Sequence, residues 1–143
     1  MNSQLPIHQI SELIPQKAPF VMVDKLVDFS KEFVVASLKI TPENIFTKNG
    51  VFTEPGLVEH MAQTVALHTG YDYFLKGEEA PTGYIGSIKK IAVYSLPKLN
   101  EIITTRAEIL HEFMGVTMVR VSTFNSENKE IASGEMKTVI ANE

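Results

Sequence analysis

Apolar residues recur at three- and four-residue spacings after Pro55, at Leu57, Val58, Met61, Ala62, Val65, Ala66, Gly70, Tyr73 and Phe74. That is the period of a helix with one broad buried side, and it predicts a helix over 55–75. Pro55 suits the first turn, because the N–H it lacks would have no intrahelical partner there and its fixed φ is already helical. Elsewhere the period shortens. Residues 20–27 and 33–40 are rich in β-branched and aromatic side chains and flank a turn at 28–31, which predicts a hairpin. Four more β segments follow the helix, at 84–94, 101–111, 116–125 and 129–141. In the second of them Ile102, Thr104, Arg106, Glu108 and Leu110 share one face. Connections as short as that at 125–129 join only antiparallel strands.

Residues 7–14 read as a short helix that Pro15 ends, and 76–82 as a polar linker. Between 41 and 54 the apolar pattern breaks, with Pro42 and Asn49-Gly50 supplying turn chemistry. The inventory predicts an α+β fold in which one antiparallel sheet of about six strands covers one long helix. Ala62, Ala66 and Gly70 form a line of small residues along that helix, which a sheet could approach closely. Alanine is a good helix former in any case. Gly70, which costs about 1 kcal/mol against alanine, calls for a further reason.

A chain of 143 residues suits a single domain spanning 1–143, and 44% hydrophobic with 21% charged residues is an ordinary globular composition. No apolar run reaches the roughly 18–20 residues that span a bilayer, and the N-terminus lacks the basic start and apolar core of a signal peptide. The absence of cysteine excludes disulfides and thiolate chemistry and fits a reducing compartment, so a cytoplasmic location is expected. A net charge of −4 without a basic stripe argues against nucleic acid as a partner.

The segment Leu13-Ile14-Pro15-Gln16-Lys17-Ala18-Pro19-Phe20-Val21-Met22-Val23-Asp24-Lys25 resembles the entry segment of hotdog-fold (3R)-hydroxyacyl-[acyl carrier protein] dehydratases. Pro55-Gly56 followed by Glu59-His60-Met61-Ala62-Gln63 is similar to their helix signature, with fewer residues between its two parts. Gly86 to Tyr94 and Glu135-Met136-Lys137 are similar to their later strands. The chain also resembles a divergent branch of hotdog proteins associated with aryl-polyene or flexirubin pigment clusters. The resemblance implies a sheet wrapped around the central helix, a dimer joined sheet edge to sheet edge, and an acyl tunnel at the dimer interface. It implies Glu59 as the catalytic carboxylate, and acyl carrier protein or an acyl-CoA thioester as the partner. One departure stands out. The histidine that such enzymes carry upstream, in a glycine-histidine-phenylalanine-proline segment, is missing: Ile45 stands at the family's usual spacing, and Val51 takes the place by pattern within Gly50-Val51-Phe52-Thr53.

Dehydration of a 3-hydroxyacyl thioester needs a proton removed from Cα, charge stabilised on the thioester oxygen, and a proton given to the departing hydroxyl. The unpaired N–H groups of the first helical turn around Gly56 could serve the thioester oxygen. Glu59 could act as acid or as base, with Gln63 one turn later on the same side to hold it. Read without the family, Glu59 is as well a solvated helix carboxylate, and Glu54 complements the helix dipole. Asn49 and Lys48 could orient a water or the thioester, although Asn-Gly is more often simply a turn. His60 points about 100° away from Glu59 on a helix, and His68, His8 and His111 are further candidates for interface or surface roles. Lys89, Lys90, Lys98 and Arg106 could meet an acidic carrier protein or form a solvated face. Met61, Phe46 and Phe74 would set tunnel depth.

Three functions compete: a dehydratase of carrier-bound 3-hydroxyacyl chains, a hotdog thioesterase in which a lone carboxylate activates water or attacks the thioester, and a non-catalytic acyl-binding subunit of a heteromeric dehydratase. None requires a metal or organic cofactor. A homodimer, or a heterodimer with a related hotdog protein, is expected.

Overall fold

A computed structural model describes residues 5–81 and 83–140, with the backbone alone for Tyr84. Eight strands and one helix follow in chain order: β1 Lys25–Phe29, β2 Phe33–Lys39, β3 Thr47–Lys48, β4 Val51–Phe52, α1 Glu54–Leu75, β5 Gly83–Val93, β6 Ile102–Phe113, β7 Val116–Phe124 and β8 Glu130–Ile140. Six of the strands form one antiparallel sheet in the order β1-β2-β6-β7-β8-β5, and β3-β4 is a separate small hairpin. The ends of two predicted segments, Thr82 and Ala141, lie outside the described residues.

Alternation decides which face of the sheet meets the helix. Val34, Ala36 and Leu38 of β2, Ile103, Thr105 and Ala107 of β6, and Val119, Val121 and Thr123 of β7 are buried, while Ile102, Arg106, Glu108 and Leu110 are exposed. Thr105 and Thr123, opposite each other in the ladder, bond hydroxyl to hydroxyl and so satisfy the two polar groups this inner face buries.

Three local expectations are corrected. Residues 7–14 form no helix: Ile7 pairs with Leu26 as an isolated bridge, and the chain then turns so that Ile10, Leu13 and Ile14 reach the core. Burying those side chains outweighs weak helix propensity in a segment this short. The first strand begins at Lys25 rather than at Phe20, because α1 side chains take the backbone groups of Phe20 and Met22 that a neighbouring strand would have taken. The close approach at Gly70 comes from this N-terminal segment and not from the sheet: a Cβ there would fall onto the Leu13 carbonyl oxygen.

The helix is also buried more fully than one apolar side allows. Gly56, His60, Gln63, Thr64, Leu67 and Tyr71 are buried along with Leu57, Met61 and Val65, while Phe74 is exposed. The sheet covers one side, and the segment from Leu5 to Asp24 crosses another.

Candidate active site

Glu59 lies in the second turn of α1, half-buried, with Gln63 one turn further along. The spacing predicted from sequence is realised as a hydrogen bond: Gln63 Nε2 donates to Glu59 Oε2 at 2.8 Å. Gln63 is itself buried, and it also donates to the Phe20 carbonyl at 2.9 Å and accepts the Met22 N–H at 2.7 Å. The strap from Phe20 to Met22 is thus bound to the helix beside Glu59.

Glu59 stands in the wall of a cavity of about 740 Å³, which runs along α1 past Ala62, Ala66, Thr69 and Gly70. Its other walls are the turn from Ser11 to Lys17, residues 79–81, Gly83 and Ile85 of β5, and Thr138 and Ile140 of β8. The line of small residues therefore has two uses: Gly70 admits the Leu13 backbone, and Ala62 and Ala66 leave room for the cavity. The cavity's volume suits a small ligand, and its lining mixes apolar residues with Glu12, Gln16, Lys17 and Glu79 as well as Glu59. The contributions from the turn at 11–17 and from β8 escaped the sequence reading, because they come from elements that meet α1 only after folding.

The remaining candidates lie elsewhere. Asn49 and Gly50, with φ of 53° and 79°, form the two-residue turn that joins β3 to β4, where Lys48 pairs with Val51. Val51 bridges Lys98 and, like Asn49 and Lys48, does not line the Glu59 cavity. Gly56 is buried: an added Cβ would stand 2.6 Å from Phe46 Cβ and 2.7 Å from the Phe52 ring, so the lack of a side chain here lets the helix start pack closely on both. Met61 is in the core, and neither Phe46 nor Phe74 reaches the cavity wall.

No histidine among the described residues lines the cavity. His60 has no exposed surface; its Nδ1 lies 2.7 Å from the Met22 carbonyl, and burial pushes its pKa down to about 4 against the opposing effect of that bond. His68 Nε2 lies 2.8 Å from the Ser30 carbonyl, with its ring stacked on Phe29. His8 is exposed, as is His111 beside Phe113. Lys89, Lys90 and Lys98 are exposed, Lys90 standing 3.9 Å from Glu135; Arg106 lies over the Phe33 ring on the outer face of the sheet. Glu54 is exposed in the first turn of the helix. Among the described residues no helix is long and apolar enough to cross a membrane.

A long helix held in the curve of a six-stranded antiparallel sheet, with a carboxylate and a cavity on its flank, is the arrangement of a hotdog-fold protein. The sequence profile of the ApeP-like family, described as ApeP dehydratase, matches residues 8–143, and the chain belongs to that family. A 3-hydroxyacyl-[acyl-carrier-protein] dehydratase FabZ from Ruminiclostridium cellulolyticum is 28% identical over 135 residues, covering 90% of this chain and 92% of the relative. Another FabZ, from Clostridium botulinum strain Loch Maree, is 27% identical over 146 residues, covering 98% of this chain and 99% of that protein. Among solved structures, the dehydratase heterocomplex ApeI:P from Xenorhabdus doucetiae superimposes with a TM-score of 0.86 at 14% identity, over 97% of this chain and 93% of that one.

Proposed function

We propose that this chain is a dehydratase subunit acting on 3-hydroxyacyl groups carried as thioesters on acyl carrier protein, with Glu59 as a proton-transfer group in the wall of the cavity that takes the acyl chain. The observation that carries the reading is the half-buried Glu59 carboxylate, held at one oxygen by Gln63, in the wall of a cavity with room for an acyl chain. The family membership and the FabZ relatives support it.

In the reaction the Cα–H bond breaks, its electrons form the Cα–Cβ double bond, and the hydroxyl leaves as water after taking up a proton. Glu59 carries one of these two proton transfers. The cavity's other titratable side chains are Glu12, Lys17 and Glu79, on the N-terminal turn and the linker. We assign the second transfer to a residue of a second hotdog subunit, in a homodimer or in a heterodimer with a histidine-bearing relative. An assembly of that kind is named for the Xenorhabdus neighbour, a dehydratase heterocomplex. Gln63 fixes the carboxylate throughout, and Ala62 and Ala66 leave space for the chain.

The test is mass spectrometry of 3-hydroxyacyl and saturated acyl chains on carrier protein, with the chain alone and with a histidine-bearing hotdog dehydratase, in wild type and in Glu59→Gln. Loss of water that requires Glu59 supports the reading, and a requirement for the partner assigns it the second group. Equal water loss in the Glu59→Gln variant would remove Glu59 from the mechanism. The lack of a histidine at the cavity also fits a thioesterase, in which the carboxylate activates water against the thioester carbonyl. Release of free thiol from saturated acyl thioesters would favour that second reading.

A further inference from the structure

Between Phe20 and Met22 the chain crosses α1 outside any strand, and helix side chains take its backbone groups. Met22 is held on both sides of its Cα: its N–H donates to Gln63 Oε1 at 2.7 Å, and its carbonyl accepts from His60 Nδ1 at 2.7 Å. The Gln63 amide is fully committed, with Oε1 on the Met22 N–H and the two Nε2 hydrogens on the Phe20 carbonyl and Glu59 Oε2. A flipped amide would set its oxygen against two acceptors and its NH2 against a donor, so the strap, through the Met22 N–H and the Phe20 carbonyl, helps decide which way Gln63 faces. The bond to the carbonyl of the same residue holds that N–H in place.

We propose that His60 is a positioning residue for Glu59: by donating its Nδ1–H to the Met22 carbonyl it fixes the strap, the strap fixes the Gln63 amide, and the amide orients the Glu59 carboxylate. The inference rests on reading Glu59 as a proton-transfer group. A second observation separates it from simple filling of the core. Because Nδ1 must carry the hydrogen, His60 Nε2 is left as a buried acceptor with no partner among the described residues. A leucine would occupy the same space without an orphan nitrogen. The imidazole is explained by the bond on its other side. It also explains why a histidine adjacent in sequence to the catalytic candidate lies outside its cavity: it acts on the far side of the strap.

The variants that test this are His60→Asn, His60→Gln and His60→Leu. The asparagine amide nitrogen is joined to Cβ through one carbon, as Nδ1 is, so it reaches the Met22 carbonyl; the glutamine nitrogen stands one bond further out, and leucine has no donor. Two readouts are taken on the folded protein in its natural assembly: NMR signals of the Met22 amide and the Gln63 side-chain amide, and kcat and KM for dehydration of carrier-bound 3-hydroxyacyl chains. The asparagine variant is expected to keep wild-type signals and kcat within about threefold, while the glutamine and leucine variants lower kcat about 10- to 100-fold at unchanged KM and shift both amides. Unchanged amides and kcat in His60→Leu would overturn the proposal, as would equal losses in all three variants. If His60→Leu does not fold, the asparagine and glutamine variants decide between them. If wild type shows no Glu59-dependent turnover, the functional reading fails on its own, and the NMR comparison still decides the positioning.

Discussion

Glu59 and His60 are consecutive residues of α1, yet one borders a cavity of about 740 Å³ while the other has no exposed surface. A helix advances each residue by about 100°, so two titratable neighbours are delivered to different solvents by geometry alone. The carboxylate keeps one oxygen on Gln63 and the other without a partner among the described residues. The imidazole is spent on a backbone carbonyl and kept neutral by burial. Proximity in sequence to a catalytic candidate is therefore poor evidence of a shared site, and the bond each group makes is better evidence.

The largest effect is expected from Glu59→Gln. The amide oxygen can still accept from Gln63, so the fold should hold, while Glu59-dependent turnover should fall by about 10²-fold or more, the scale of a lost acid–base group. A full kcat in a folded variant would break the comparison by removing chemistry from the exposed side. Gln63→Leu comes next, because it joins the two regions. It leaves the buried Met22 N–H unpaired, while the carbonyl of the exposed Phe20 can turn to water, and should cost about 2 kcal/mol in urea unfolding. A cost under about 1 kcal/mol would show that the strap is held by its apolar contacts instead.

The pH dependence examines the His60 side. Its folded-state pKa, depressed to about 4 by burial, lies below the unfolded value of 6.5, so the unfolded chain takes up a proton first as the pH falls. The resulting stabilisation is fully present above about pH 6.5 and is lost as the pH drops toward 4, to a total of about 3 kcal/mol. Urea unfolding of wild type against His60→Asn at pH 7, 5.5 and 4.5 isolates this component; parallel curves would contradict it. The smallest effect belongs to the β3–β4 hairpin. Asn49→Gly keeps the left-handed turn and should leave stability and turnover near wild type, while Asn49→Ala should cost about 1 kcal/mol. A loss of turnover in the glycine variant would return the Asn49 amide to the site.

The sheet was legible in the sequence because five of its strands are long and alternate: the segments expected at 33–40, 101–111 and 116–125 agree with β2, β6 and β7 to within two residues at either end. Glu59 stood out through the family resemblance, and the bond that Gln63 makes to it was legible in their one-turn spacing. The burial of His60, Gln63 and Thr64 was not, since periodicity sees apolar side chains and each of these three is tied down by a hydrogen bond to a backbone carbonyl. For the same reason the strap at 20–22 passed for a strand. Its residues, Phe20, Val21 and Met22, are all apolar, but its hydrogen-bond partners are side chains some forty positions away, which no local pattern records.

That separation gives the strap a place in time as well as in space. Met22 lies 41 residues before Gln63, so during synthesis it leaves the ribosome long before its anchor exists. Its docking closes a loop that contains β1 to β4 and the first half of α1, a shorter closure than the pairing of β2 with β6, where Phe33 meets Glu108. The carboxylate that the strap orients therefore cannot take its final setting until the chain through Gln63 has been made.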